Sequence, residues 1–113
     1  MSHTFTAAGG YAVIGLQGDI DLHSSPEARR LILECLQDGR PTLVDLSGVA
    51  YIDSSGVASL VEGFQLARAR GLDFGLVGVS STALNVLRLA RLDKVFPIYG
   101  SVQERVGQGA TSP

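Results

Sequence analysis

Between Thr42 and Val61 the apolar pattern changes period once, and that change constrains the fold more than any other feature of the chain. Thr42–Leu46 is a short apolar run suited to a strand buried on both faces, with Ser47-Gly48 expected to break it. From about Ser54 the period becomes helical: Val57, Leu60, Val61 and Phe64 share a face, and Ala67 continues it. Arg68 and Arg70 fall in the last turn, where cations suit the helix dipole, and Gly71 is a natural stop. A strand that runs into a helix through Asp53-Ser54-Ser55-Gly56 delivers an acid and two hydroxyls to a helix N-terminus, within reach of a partner.

The remaining segments alternate in the same way. Tyr11–Gln17 reads as a strand, preceded by a weaker one near Thr4–Ala7 with a turn at Gly9-Gly10, and Gly18–Leu22 is expected to leave the sheet. A helix follows. Either Ser25 caps it ahead of Pro26, or Ser24 and Glu27 form a capping box. Its apolar face is Ala28, Leu31, Ile32, Cys35 and Leu36, and Asp38-Gly39 and Pro41 end it. Leu72–Val79 is a third central strand, and Ser80-Ser81-Thr82 caps a helix with Ala83, Val86, Leu87 and Ala90 on one side. Val95–Tyr99 is a last short strand, which Pro97 places at an edge, before a terminal helix from Ser101 to about Val106.

Strands alternating with helices predict an α/β fold with a parallel or mixed sheet and right-handed crossovers. With 113 residues there is room for a single domain over 1–113, with a core of about 10–106 and a flexible tail over 107–113. A hydrophobic content of 45% is enough for a packed core. The net charge of −2, with Lys94 the only lysine, argues against electrostatic binding of nucleic acid. One cysteine, Cys35, leaves no internal disulfide and no cysteine-based metal site. No secretory signal or membrane-length apolar run is visible, so a soluble cytoplasmic domain without membrane insertion is expected.

Two explanations of Asp53-Ser54-Ser55-Gly56 stand side by side. Asp and Ser cap helices because their oxygens accept hydrogen bonds from orphan backbone N–H groups, worth about 1 kcal/mol. Yet two serines beside an acid exceed what one cap needs. Gly56 in the first turn costs about 1 kcal/mol relative to Ala, which points to a close backbone approach. A phosphate there would add about −1.5 to −2 charges, which a helix N-terminus tolerates and a docked partner does not. Nucleophilic catalysis lacks a base: His3 lies in a mobile start, His23 in the loop before the first helix, and no Gly-x-Ser-x-Gly elbow is present. Asp19 and Asp21 are better read as a solvated turn than as a Mg²⁺ site. Asp73-Phe74-Gly75 matches the kinase magnesium motif by chance, because nothing that accompanies that motif is present. Cys35 is expected to be buried and inert, and Arg88 and Arg91 to lie on a solvated face that an acidic partner could use.

The run Val44-Asp-Leu-Ser-Gly-Val-Ala-Tyr-Ile-Asp53-Ser54-Ser55-Gly56-Val57 resembles the signature of STAS domains, the anti-sigma-factor antagonist fold. Gly18-Asp19-Ile20-Asp21, Ser80-Ser81 after Gly78, and Leu89–Phe96 extend the resemblance over about residues 10–106. It implies a mixed sheet of four to five strands with three to four helices, packed mainly on one face. It also implies a non-enzymatic partner switch without a cofactor. Ser54 would be the phosphoacceptor of an anti-sigma factor that is also a serine kinase, and a serine phosphatase would reverse the modification. The unphosphorylated form would bind the anti-sigma factor and so release a sigma factor for transcription. The partner-binding residues would be Asp21, Asp53, Ser54, Ser55 and Gly56. The segments Val57–Arg68 and Leu89–Phe96 also resemble STAS accessory subunits of bacterial phospholipid ABC transporters. Such a subunit would dock on a permease or ATPase through the same helix. A stand-alone module for a nucleotide or lipid is a third reading, without a phosphate-cradling loop to support it.

Overall fold

The computed structural model describes residues 1–110. Nine elements follow in order: β1 (Ser2–Ala8), β2 (Tyr11–Ile20), α1 (Ser25–Gln37), β3 (Thr42–Ile52), α2 (Ser54–Arg70), β4 (Phe74–Val77), α3 (Ser81–Leu89), β5 (Ile98–Tyr99) and α4 (Val102–Ala110). The strands form one sheet in the order β1-β2-β3-β4-β5. β1 runs antiparallel to β2, and every other pairing is parallel. The expected α/β architecture is therefore present, with five strands and four helices.

Period-two patterning gives each central strand two buried faces. Ala12, Ile14 and Leu16 of β2, Val44 and Leu46 of β3 and Leu76 of β4 point to a core shared with Ile32, Leu36, Leu60 and Leu87 of α1, α2 and α3. Val13, Leu43 and Val77 point the other way, where Tyr11, Tyr99 and α4 residues Val102 and Val106 cover them. Three helices thus lie on one face and α4 alone on the other. Phe64, Phe74 and Phe96 meet edge-on or tilted in the larger core. Gly71 ends α2 in the left-handed region at φ 66°, which glycine adopts without steric cost.

Several boundaries differ from the sequence reading, for physical reasons. The weak strand near Thr4–Ala7 is a seven-residue strand, Ser2–Ala8, paired with β2 through its whole length. β2 does not leave the sheet at Gly18 but continues to Ile20, and β3 is not broken at Ser47-Gly48 but continues to Ile52. Between Gly15 and Ile20 of β2 the register on β3 advances from Asp45 to Ile52, through two irregularities that absorb extra β3 residues as bulges. Bulges look like strand breaks in a sequence because they interrupt alternation without ending the pairing. β4 is shorter than expected (Phe74–Val77), and β5 is reduced to Ile98–Tyr99.

α1 is capped by neither expected arrangement. Ser24 occupies the N-cap position without a side-chain capping bond, and Glu27 pairs with Arg30 instead. α4 runs past Val106 to Ala110, so residues 107–110 of the expected flexible tail are helical; Thr111–Pro113 lie outside the described residues. Cys35 is buried in the larger core, and burial pushes its thiol pKa up, as suits an inert side chain.

Candidate functional site: the carboxyl edge of the sheet

The three parallel strands β2, β3 and β4 end at the same edge, where each feeds a helix. In open α/β sheets this edge is where ligands and partners meet the fold. The register sets Ile20 opposite Ile52, so Asp21 and Asp53, one residue further on each strand, leave the sheet as neighbours. The Asp53 N–H donates to the Ile20 carbonyl at 3.1 Å, which fixes the start of α2 against the end of β2.

Asp53 is the α2 cap. Its backbone is extended (φ −106°, ψ −173°), and Oδ1 accepts from the N–H groups of Ser55 at 2.9 Å and Gly56 at 3.2 Å. The carboxylate thereby satisfies two of the orphan donors of the first turn. Ser54 follows as the first helical residue. It is exposed, and its hydroxyl makes no hydrogen bond among the described residues. Ser55 is half-buried. Its carbonyl accepts from the buried Ser59 hydroxyl, which also reaches the Ser25 carbonyl at 3.2 Å and so ties α2 to α1. The choice left open by the sequence, cap or presented hydroxyl, divides between two residues: Asp53 caps and Ser54 presents.

Gly56 is buried, and its role is packing. A Cβ there would lie 2.7 Å from Ile52 Cγ1, 2.8 Å from Ile20 Cγ2 and 2.9 Å from the Ile20 carbonyl oxygen. The close approach inferred from the sequence is thus made by the protein's own strand ends. Glycine lets the first turn of α2 settle on them, and that holds Ser54 at the rim.

Asp21 lies in the turn between β2 and α1. Its Oδ1 accepts from the N–H groups of His23 at 2.9 Å and Ser24 at 3.1 Å, and from the Ser24 hydroxyl at 3.2 Å. The Ser24 N–H, then the His23 N–H and the Ser24 hydroxyl, hold the Asp21 carboxyl below the usual carboxylate range, so it is ionised at neutral pH. The Ser24 hydroxyl also donates to the Asp19 carbonyl at 2.9 Å, and the Asp21 N–H donates to Ser24 Oγ at 2.9 Å. Ser24 therefore organises this loop, a role the sequence reading missed; the Asp-x-x-Ser spacing of Asp21 and Ser24 was the available signal. Leu22, next to Asp21 in the loop, is 68% exposed, and Tyr51, opposite Asp19 on β3, is 49% exposed. At the end of β4, Ser80 caps α3 through the Ala83 N–H and donates its hydroxyl to the Val49 carbonyl at 2.8 Å, which pins the third loop to β3.

The other candidates fall elsewhere. His3 lies on β1, and His23 is exposed in the Asp21 loop. Among the described residues no group of three metal-binding side chains forms. Asp73 sits before β4, at the opposite edge, where its carbonyl accepts from the Thr42 N–H and its side chain pairs with Arg105. Arg88 and Arg91 are exposed. No helix among the described residues is long and apolar enough to cross a membrane.

Comparison with known proteins places this geometry. The family model described as "STAS domain" matches residues 4–105. The anti-sigma-F factor antagonist RsfB of Mycobacterium tuberculosis is 30% identical over 96 residues, covering 84% of this chain and 78% of RsfB. The anti-sigma-B factor antagonist of Bacillus subtilis is 24% identical over 85 residues, 75% of this chain and 78% of that protein. In fold, the chain is similar to the unphosphorylated anti-sigma factor antagonist SpoIIAA, with a TM-score of 0.82 at 18% identity over 99% of each chain. The match runs from β1 into α4 and takes in the Asp21 loop and the Asp53–Gly56 junction: the chain belongs to the STAS domain family.

Proposed function

We propose that this chain is an anti-sigma-factor antagonist. Its binding to an anti-sigma factor with serine kinase activity is switched off by phosphorylation of Ser54 and restored by a phosphatase. The observation that carries this reading is the division of labour at α2: Asp53 supplies the cap, which leaves the exposed Ser54 hydroxyl with no structural bond to keep. A kinase can take such a hydroxyl without dismantling the helix. The relatives named as anti-sigma-factor antagonists support the same partner class.

Physically, the switch is local. A phosphate on Ser54 would sit at the positive end of the α2 dipole, which stabilises it, but beside Asp53 and the ionised Asp21, which repel it. The domain tolerates the charge, whereas an interface closed over it must desolvate three anionic groups together. A difference of about 2.7 kcal/mol would weaken binding on the order of 100-fold. The chain acts here as substrate and switch, not as catalyst. Leu22, next to Asp21, supplies exposed apolar surface beside the charged centre.

The test is phosphorylation of the purified protein by a co-encoded serine kinase with ATP, with the site mapped by mass spectrometry. Modification at Ser54 and loss of kinase binding are the expected results. A stable complex with a membrane permease, and no phosphate on Ser54 with any co-encoded kinase, would overturn the proposal.

A further inference from the structure

The two edges of the sheet are built differently. β5 is two residues long, follows Pro97 and runs on into α4, so it offers little to pair with. β1 is seven residues long and pairs with β2 without a register shift, and among the described residues its outer backbone edge is unpaired. Natural edge strands are commonly blunted by lysine, proline, a bulge or a covering element. β1 (Ser-His-Thr-Phe-Thr-Ala-Ala) contains no Pro, Lys, Arg, Asp or Glu, six of its residues are exposed, and Ala8 is half-buried. Phe5, directly opposite Ile14 and so on the helix-bearing face of the sheet, is 50% exposed, with the Arg40 guanidinium over its ring at 5.2 Å.

We infer that β1 is a self-association edge: two copies of the chain pair β1 to β1, antiparallel, into one continuous sheet across a two-fold axis. The strand is suited to its own copy. Phe5 is its central residue, so an axis at Phe5 opposes all seven positions. Each Phe5 then faces the other, Thr4 faces Thr6, His3 faces Ala7, and Ser2 faces Ala8. Aromatic and Thr–Thr pairs across strands are favourable, and the strand itself opposes no like charges; the two Arg40 guanidiniums, one over each Phe5 ring, repel across the axis and keep the contact weak. The contact is isologous and closed, so it stops at a dimer. Its area is one strand edge and a pair of rings, less than the roughly 1,200–2,000 Å² of a stable specific interface, so the dimer depends on concentration.

The geometry separates this contact from the carboxyl edge. β1 starts beside Gln17, near the Asp21 end of β2, and runs away from it. Antiparallel pairing therefore points the two Asp21–Ser54 edges in opposite directions. Each copy keeps its site open, and one dimer presents two.

Sedimentation of the full chain from about 10 μM to about 1 mM measures the association directly, and a monomer–dimer equilibrium within that range is expected. Phe5→Lys, which opposes two cations at the axis, should weaken it about tenfold or more. Phe5→Cys should give a disulfide-linked dimer under mild oxidation, whereas Leu89→Cys, at a site 87% exposed on α3, should not. The cysteine pair decides the matter even if Phe5→Lys impairs folding. A monomer at about 1 mM overturns the inference, as does a dimer that Phe5→Lys leaves intact or that Leu89→Cys links in preference to Phe5→Cys.

Discussion

Gly56 rests on Ile20: a Cβ on the glycine would stand 2.9 Å from the Ile20 carbonyl oxygen, a backbone atom that cannot move aside as a side chain can. Gly56→Ala therefore sets two effects against each other. Alanine gains about 1 kcal/mol of helix propensity over glycine. Overpacking against fixed strand ends costs about 1–3 kcal/mol and should win. The variant should be less stable by up to about 2 kcal/mol in urea unfolding, with a correspondingly lower Tm. A more stable variant would show that α2 can lift off the strand ends without cost.

The cap can be tested separately from the presented hydroxyl. Asp53→Ala removes the acceptor for the Ser55 and Gly56 N–H groups and should cost about 1 kcal/mol, while Asp53→Asn should keep most of it. Ser54→Ala should change stability by less than about 0.5 kcal/mol, because its hydroxyl holds nothing in place. The reverse ordering in denaturant titrations would make Ser54 the structural residue and remove the main support for its role as phosphoacceptor.

The β3–α2 junction was legible because two local signals coincide there: the apolar period changes, and polar residues with capping chemistry stand at the change. β1 was nearly invisible for the opposite reason. Its exposed faces impose no alternation on His3–Ala7, and pairing with β2 alone holds it in the sheet. Gly18 and Ser47-Gly48 looked like ends because a bulge and a break leave the same local trace; only the neighbouring strand distinguishes them. Gly56 signalled a close approach but not its cause, since Ile20 is 36 positions away in sequence. The contact between Tyr11, Asp73 and Arg105 had no sequence signal: it depends on α4 folding back over the sheet.

That contact makes a pH prediction. Burial raises the Asp73 carboxyl, but hydrogen bonds from Tyr11 and Arg105 outweigh it and hold the group below the usual carboxylate range. Its stabilising contribution is present above the ordinary value of 3.8 and is lost as pH falls through the lower folded value. Tyr11 is pushed up to about 12, first by burial and then by its bond to Asp73, so its contribution is complete below 10.0 and is lost as pH rises from there towards 12. Ultraviolet titration should show one of the three tyrosines ionising near 12, and Tyr11→Phe should abolish that component. Arg105→Ala should speed hydrogen exchange in α4 and leave the α2 amides unchanged, since the Arg105–Asp73 pair lies at the opposite edge from Ser54. Uniform acceleration in both helices would mean that α4 does not open by itself.

Ser54→Asp separates tolerance of charge by the fold from tolerance by the partner. An acid in the first turn of a helix gains about 0.3–1 kcal/mol from the dipole, which offsets repulsion from Asp53 next to it. Thermal stability should therefore stay within a few degrees of the parent. Affinity for the kinase partner should fall at least about tenfold by calorimetry, less than for the true phosphate, whose charge is nearer −2. Ser54→Asn, similar in size and neutral, supplies the control: if it weakens binding as much as Ser54→Asp does, bulk at the rim and not charge governs the interface. If Ser54→Asp unfolds the domain while Ser54→Asn does not, the Asp21 and Asp53 carboxylates already load this edge with as much negative charge as the fold can carry. Phosphate could not then serve there as a reversible switch.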